Sequence, residues 1–344
     1  MQIMRSRKPR SSSTGRVTMA DIAKLAGVST ITVSRAFKKP DLVTEDLRKR
    51  IFTHAQELGY VPNRVASALA GAPSMNVVVL IPSMTNMVFV EMLAGIHEVL
   101  YPRGYQMLIG VTRYSPLEEE RLLQTYLEFL PDGLLLTGTD HLPTTWSRLE
   151  TLGRPVVHMM ENESREGYPC VGFSQFDGGY AMAKHLVDRG YKRIAFVAAQ
   201  LDPRTLARAE GYRQALRDAG LYDPKRELMV PDPSSISMGA NLLDRLLTDV
   251  PDCDAVFFCN DDLAQGALFQ CHRRKIDVPK QLAITGFNDL PASAWTSPTL
   301  TTIATPRYQI GRHAATTLLT LLEGEEPESQ VTDLGYSLMA RESS

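Results

Sequence analysis

Two arginines, Arg204 and Arg208, stand four residues apart in the stretch LDPRTLARAEGYRQAL. At the start of a helix that spacing sets both on one face, and paired guanidiniums are well shaped to fork onto a carboxylate or a pair of hydroxyls. Asn260, in CNDDLAQGAL, offers one acceptor and two donors, which suits a hydroxyl pair. Each has a plainer use: Asn260 can cap the helix that follows it, and Arg208 can pair with Glu210. A second set, Thr30, Ile31, Thr32, Ser34 and Arg35, lies in VSTITVSRAF. A threonine methyl and an isoleucine pack on a thymine methyl, while Ser34 and Arg35 hydrogen-bond a phosphate or a guanine. Here too a plain alternative stands, with Ile31 in a core and Arg35 a solvated charge.

Other chemistry is hard to find. Cys170, Cys253, Cys259 and Cys271 fall at no metal-ligand spacing. Phosphate-binding glycine loops and the G-x-S-x-G elbow are missing. Asp261 and Asp262 are adjacent, so on a helix they point apart, unlike an acid and base facing one substrate. His141 and His158 are isolated in sequence and receive no role. No catalytic residue, metal or cofactor is expected, and a small-molecule enzyme of the same α/β class is the weaker alternative.

The second set requires a particular frame. Thr18 and Asp21 form a capping box before Ile22, Leu25 and Ala26, which predicts a helix over 19–26 with those three inward. Gly27 turns the chain, Ser29 caps a second helix over 30–38, and Thr44 caps a third that runs to Leu58 and stops at Gly59. Helix, glycine turn and helix is the arrangement that lays the second helix in a DNA major groove. Charge agrees: residues 1–71 hold 13 basic and 5 acidic side chains, net +8, whereas the remainder holds 24 and 34, net −10. A basic head suits a polyanion. Residues 1–16 are basic and serine-rich, expected as a flexible arm, with the head at 17–62, a hinge at 63–73 and a larger domain at 74–344.

The first set sits in a different pattern. From residue 74 short apolar runs alternate with amphipathic stretches, predicting strands at 77–81, 107–111, 134–136, 156–159, 194–197, 255–258 and 282–285. The intervening helices are expected at 89–100, 116–130, 176–189, 206–219 and 261–272. The fold class is α/β, with parallel sheets covered on both faces and too many residues for one sheet to be favoured, hence two lobes. Ligands of such sheets sit beyond the carboxyl ends of strands. No apolar run reaches the length of a signal peptide or a membrane span, so a cytoplasmic location is expected and a periplasmic carrier disfavoured.

The runs VTMADIAKLAGVSTITVSRAF and ELGYVPNRVASALAG resemble the head and hinge of the LacI family of bacterial transcription regulators. That resemblance continues through VGFSQFDGGYAMAKHLVDRGYKRIAFV, ARAEGYRQAL, AITGFND and LTTIATPRYQIG, and implies the two-lobed fold of periplasmic sugar-binding proteins. It implies a hinge helix formed only on DNA, with Asn63, Arg64, Ala66 and Leu69 at the duplex and Leu69 wedged into the minor groove. It also implies an effector between the lobes, at Ser83, Asn86, Phe89, Glu161, Arg208, Asn260 and Asn288, although Phe89 can equally be core. Asn288 departs from the aspartate that many sugar-binding members carry. Within the family, IPSMTNMVFVEMLAGI and LDPRT resemble the gluconate-repressor subgroup, and with Arg204 added to the set, gluconate or a ketogluconate is the preferred effector. A neutral sugar or a purine is the alternative. A homodimer on an inverted-repeat operator is expected, because the chain ends at GYSLMARESS without the leucine heptads of tetrameric members.

Overall fold

The computed structural model describes residues 17–62 and 71–344, and the chain parts into two compact units on either side of Ala72 and Pro73. The smaller unit has three helices, α1 (Met19–Ala26), α2 (Thr30–Lys38) and α3 (Glu45–Leu58). Thr18 opens α1 by donating both its N–H and its hydroxyl to the Asp21 carboxylate, each at 2.8 Å. Gly27 ends that helix at φ 65°, a left-handed conformation that costs glycine nothing. Arg50 of α3 ties the bundle together by donating to the carbonyl of Ala26 at 2.9 Å.

The core between these helices is small: Ile22, Ala23, Ala26, Val33, Ala36, Ile51 and Ala55. Leu25 is not part of it, being 48% exposed. Helical rotation explains the correction, since Met19, Ile22, Ala23 and Ala26 share one sector of α1 and Leu25 falls outside it.

The larger unit holds two parallel sheets. The first runs in the order β11, β5, β4, β3, β1, β2, built from β1 (Asn76–Ile81), β2 (Gln106–Val111), β3 (Gly133–Thr137), β4 (Val156–Met159), β5 (Cys170–Gly172) and β11 (Val331–Asp333). Alternate residues of β1 face opposite cores. Val77, Val79 and Ile81 pack with α4 (Met87–Leu100) and α11 (Arg307–Leu322). Val78 and Leu80 pack with Leu123 of α5 (Pro116–Leu127) and Leu149 of α6 (Pro143–Leu152). Helices on both faces are what an all-parallel sheet requires.

The second sheet has the order β7, β6, β8, β9, from β6 (Ile194–Ala199), β7 (Glu227–Val230), β8 (Ala255–Phe258) and β9 (Ala283–Thr285). It is covered by α7 (Gln175–Asp188) with α8 (Pro203–Asp218) and by α9 (Ile236–Asp249) with α10 (Asp261–Arg274). Glycines set how closely these helices approach. A Cβ at Gly179 of α7 would strike the Arg208 backbone, and one at Gly211 of α8 would strike Phe176 and Tyr180. Antiparallel β10 (Thr302–Ala304) and β12 (Ser337–Met339) form a small third sheet. The chain therefore passes between the lobes three times: after β5, around β10, and between β11 and β12.

In both large sheets the chain steps to one side and then back past its starting strand, from β1 to β2 and then β3, and from β6 to β7 and then β8. Beside β1 and β6 the covering connections diverge and leave a crevice at the strand ends. Among the described residues no helix is long and apolar enough to cross a membrane.

Candidate functional site

In the smaller unit α2 turns Val33 and Ala36 inward. The opposite stripe presents Thr30, Ile31, Arg35 and Lys38 to solvent, with Ser34 half-buried among them. Ile31 is 63% exposed, so the core alternative for it does not hold. Thr32 differs from its neighbours: its hydroxyl lies 2.9 Å from the Ser29 hydroxyl, which also accepts the Thr32 N–H in capping the helix. Asn63, Arg64, Ala66 and Leu69 lie outside the described residues.

In the larger unit a narrow crevice lies between the two lobes. The first lobe lines it with Asn86, Phe89, Tyr114 and Met160, the second with Arg204, Arg208 and Asn260, and the connecting segment with Asn288. Both asparagines at helix starts serve as caps while facing the crevice. Asn86 Oδ1 accepts the Val88 N–H at 3.0 Å, and Asn260 Oδ1 accepts that of Leu263 at 3.0 Å. Their amide nitrogens are directed elsewhere, to the Tyr114 hydroxyl at 3.4 Å and the Ser234 hydroxyl at 2.8 Å. Phe89, although buried in the core of α4, still forms part of the wall.

The two arginines are fixed by unlike partners. Arg208 donates through Nε to Gln175 at 2.8 Å and through Nη1 to the Cys259 carbonyl at 2.8 Å, with its guanidinium 4.1 Å over the Phe287 ring. It does not pair with Glu210, which binds Arg213 and Arg217 instead. Burial lowers the Arg208 guanidinium from its ordinary value. Arg204 meets Asp202 at 3.1 Å through Nε, while its Nη1, buried, has no hydrogen-bond partner and stands 3.7 Å from Glu161 Oε1. Burial, opposed by Arg204 and assisted by Asp140 and Asp202, pushes the Glu161 carboxyl up to about 7.

Two of the expected residues stand back from the wall. Ser83 accepts the N–H groups of Thr85 and Asn86, both at 3.2 Å, and so shapes the loop that delivers Asn86. Glu161 lies beside Arg204. Asn288 holds an unusual backbone, φ 112°, with a buried Oδ1 that has no partner and a carbonyl that accepts from Arg307. Tyr114, Met160 and Gln200, also at the crevice, are left-handed too, at φ 58°, 73° and 57°. Non-glycine residues in that region cost energy and gather where structure is held for a ligand.

Gln175, Asp202, Tyr114 and Phe287 escaped the sequence reading. Asp202 carried a signal, an acid just before Pro203 at a helix start. His141 and His158, apart in sequence, meet in the first lobe with their Nε2 atoms 2.9 Å apart, and His141 Nδ1 is 2.5 Å from Glu119. Burial and then His141 push His158 down to about 3, so it is neutral and packs with Trp146 and Tyr168.

Comparison with known proteins places both units. Residues 18–63 match the model of bacterial regulatory proteins of the lacI family, and residues 183–344 match a periplasmic binding protein-like domain. The HTH-type transcriptional regulator GntR of Pseudomonas aeruginosa is 50% identical, with 96% of each chain covered. The chain belongs to the LacI family. Among solved structures, a LacI family regulator from Silicibacter pomeroyi superimposes with a TM-score of 0.89 at 33% identity, over 95% of this chain and 99% of that one. The transcription regulator GntR from Chromobacterium violaceum matches with a TM-score of 0.76 at 52% identity, over 78% of this chain and 98% of that one. This LacI-family protein is a DNA-binding transcription regulator with an effector-binding core, and it is not an enzyme. The exposed stripe of α2 and the interlobe crevice are the candidate surfaces for DNA and effector.

Proposed function

We propose that the protein is a cytoplasmic repressor that binds an inverted-repeat operator as a homodimer and is governed by gluconate or a ketogluconate. Thr30, Ile31, Thr32, Ser34 and Arg35 meet base edges and phosphates in the major groove, and Asn63, Arg64, Ala66 and Leu69 meet the minor groove. Asn86, Phe89, Arg204, Arg208, Asn260 and Asn288 hold the effector, with Ser83 and Glu161 supporting from behind. The observation that carries the sugar-acid reading is Arg204 Nη1, a buried cationic donor beside the crevice with no hydrogen-bond partner. A carboxylate supplies what that donor lacks, and the polyol tail of a sugar acid suits the asparagines and hydroxyls around it. The resemblance to the gluconate-repressor subgroup supports the same effector.

Binding would couple the sites by favouring one arrangement of the lobes, with a coupling of about 1–3 kcal/mol. The test is a thermal-shift screen against gluconate, 2-ketogluconate, glucose, ribose and a purine. A ligand at 100 times its Kd stabilises by about 2.7 kcal/mol. A selective rise with a sugar acid, followed by loss of operator binding at the same concentration, is the expected result. A rise only with a neutral sugar or a purine overturns the effector and leaves the regulator standing.

A further inference from the structure

Just behind the wall of the crevice a carboxylate stands beside the guanidinium that an acidic effector needs. Glu161 Oε1 reaches across from the first lobe to within 3.7 Å of Arg204 Nη1 on α8. A Cβ at Gly138 would come within 2.9 Å of Arg204 Nη1, so the guanidinium lies over a position that only glycine leaves open. A Cβ at Gly172 of β5 would collide with the backbone of Glu161, so that residue's backbone is seated directly against the carboxyl end of β5.

We propose that Glu161 is a specificity-determining residue of the crevice, an internal carboxylate that occupies Arg204 and must take up a proton before an acidic effector can claim that guanidinium. The inference rests on the sugar-acid reading above. Asp202 already holds Arg204 Nε at 3.1 Å, so with Glu161 ionised beside Nη1 an effector carboxylate would be a third anion on one buried guanidinium, and the mutual repulsion would be strong. The groups facing Glu161 sharpen this. Arg204 and Arg208 favour its charged form, whereas burial, Asp202 at the cap of α8 and Asp140 after β3 oppose it. Cys170 on β5 brings no compensating charge, its own thiol being pushed up to about 11 by burial first and then by Glu161. With the carboxyl near 7, an arriving anion drives it further up, and a proton from solvent neutralises it. A neutral sugar brings no charge and asks for no proton, so Glu161 makes the choice between acidic and neutral ligands depend on pH.

The sign follows directly. Below about 7 Glu161 is already protonated and affinity for a sugar acid is level; above 7 it is ionised, and affinity falls by up to about tenfold per pH unit. The experiment is titration calorimetry of the full chain with gluconate at pH 6, 7 and 8, in two buffers of different ionisation enthalpy at each pH. Expected are almost no proton uptake at pH 6 and an uptake approaching one proton at pH 8. Glu161→Gln should abolish the uptake, level the pH profile and bind gluconate about tenfold more tightly than wild type at pH 8. Gluconate binding at pH 8 without proton uptake by the wild type overturns the inference and leaves the sugar-acid reading intact, and this count needs no variant to fold. No binding of gluconate or 2-ketogluconate at any pH overturns both.

Discussion

In the three-helix unit the side chains proposed to meet a ligand stand outside the core, whereas in the two-lobed unit they are sunk between layers. Ile31 and Arg35 project from α2 while only Val33 and Ala36 hold it down, and four of the seven core residues of that unit are alanines. Arg208, by contrast, is buried, hydrogen-bonded twice and stacked on Phe287, which itself stacks on Phe173 and Phe257. Fold and recognition can thus be separated residue by residue in the head, while in the crevice the groups that would recognise an effector also hold up the wall.

The largest break in this contrast comes from the head's own core. Ile51→Ala should cost about 2–5 kcal/mol, comparable with the whole stability of so small a unit. Operator binding should vanish while the larger unit melts at its usual temperature, and surviving operator affinity would show that the head draws stability from elsewhere. Next is Arg208→Ala, which strips partners from Gln175 and the Cys259 carbonyl. It should lower effector affinity by about 2–5 kcal/mol in calorimetry and also lower the melting temperature of the larger unit. A loss of affinity with no change in melting would mean that recognition and support separate in the crevice after all.

Arg35→Ala tests the other side: a loss of about 1–3 kcal/mol in operator binding, or a salt slope reduced by about one, with the head's melting unchanged. The smallest effect belongs to the capping box. Hydrogen bonds from Thr18 hold the Asp21 carboxyl below its ordinary 3.8. Asp21 therefore adds stability above pH 3.8 that is lost as pH falls through its lowered value. Melting curves of the wild type and Asp21→Asn should converge in acid and separate slightly near neutrality.

The same contrast governs what could be read from the sequence. Helices α1 and α2 were legible to the residue because their caps and glycine turn are local signals. The inward set was not, since Leu25 is the more apolar residue and Ala23 the better placed one. Long buried strands such as β1 and β6 announced themselves, but β5, three residues long, exists because β4 and β11 flank it, and β11 comes about 160 residues later. Helices α6, α9 and α11 went unread as well. In the crevice, the residue types at the strand ends were legible, while the partners that fix them were not. Gln175 and Phe287 reach Arg208 only because two lobes fold around it, and that long-range geometry leaves no spacing in the chain.

One feature of the larger unit concerns time. Its first lobe begins at β1 but lacks its packing helix α11 and edge strand β11 until residue 333 has been made, whereas among the described residues the head's core runs from Met19 to Tyr60. At about 5–20 residues per second, roughly tens of seconds of synthesis separate the two. A growing chain thus completes the small core of its three-helix unit long before its first lobe can close around β11 and α11.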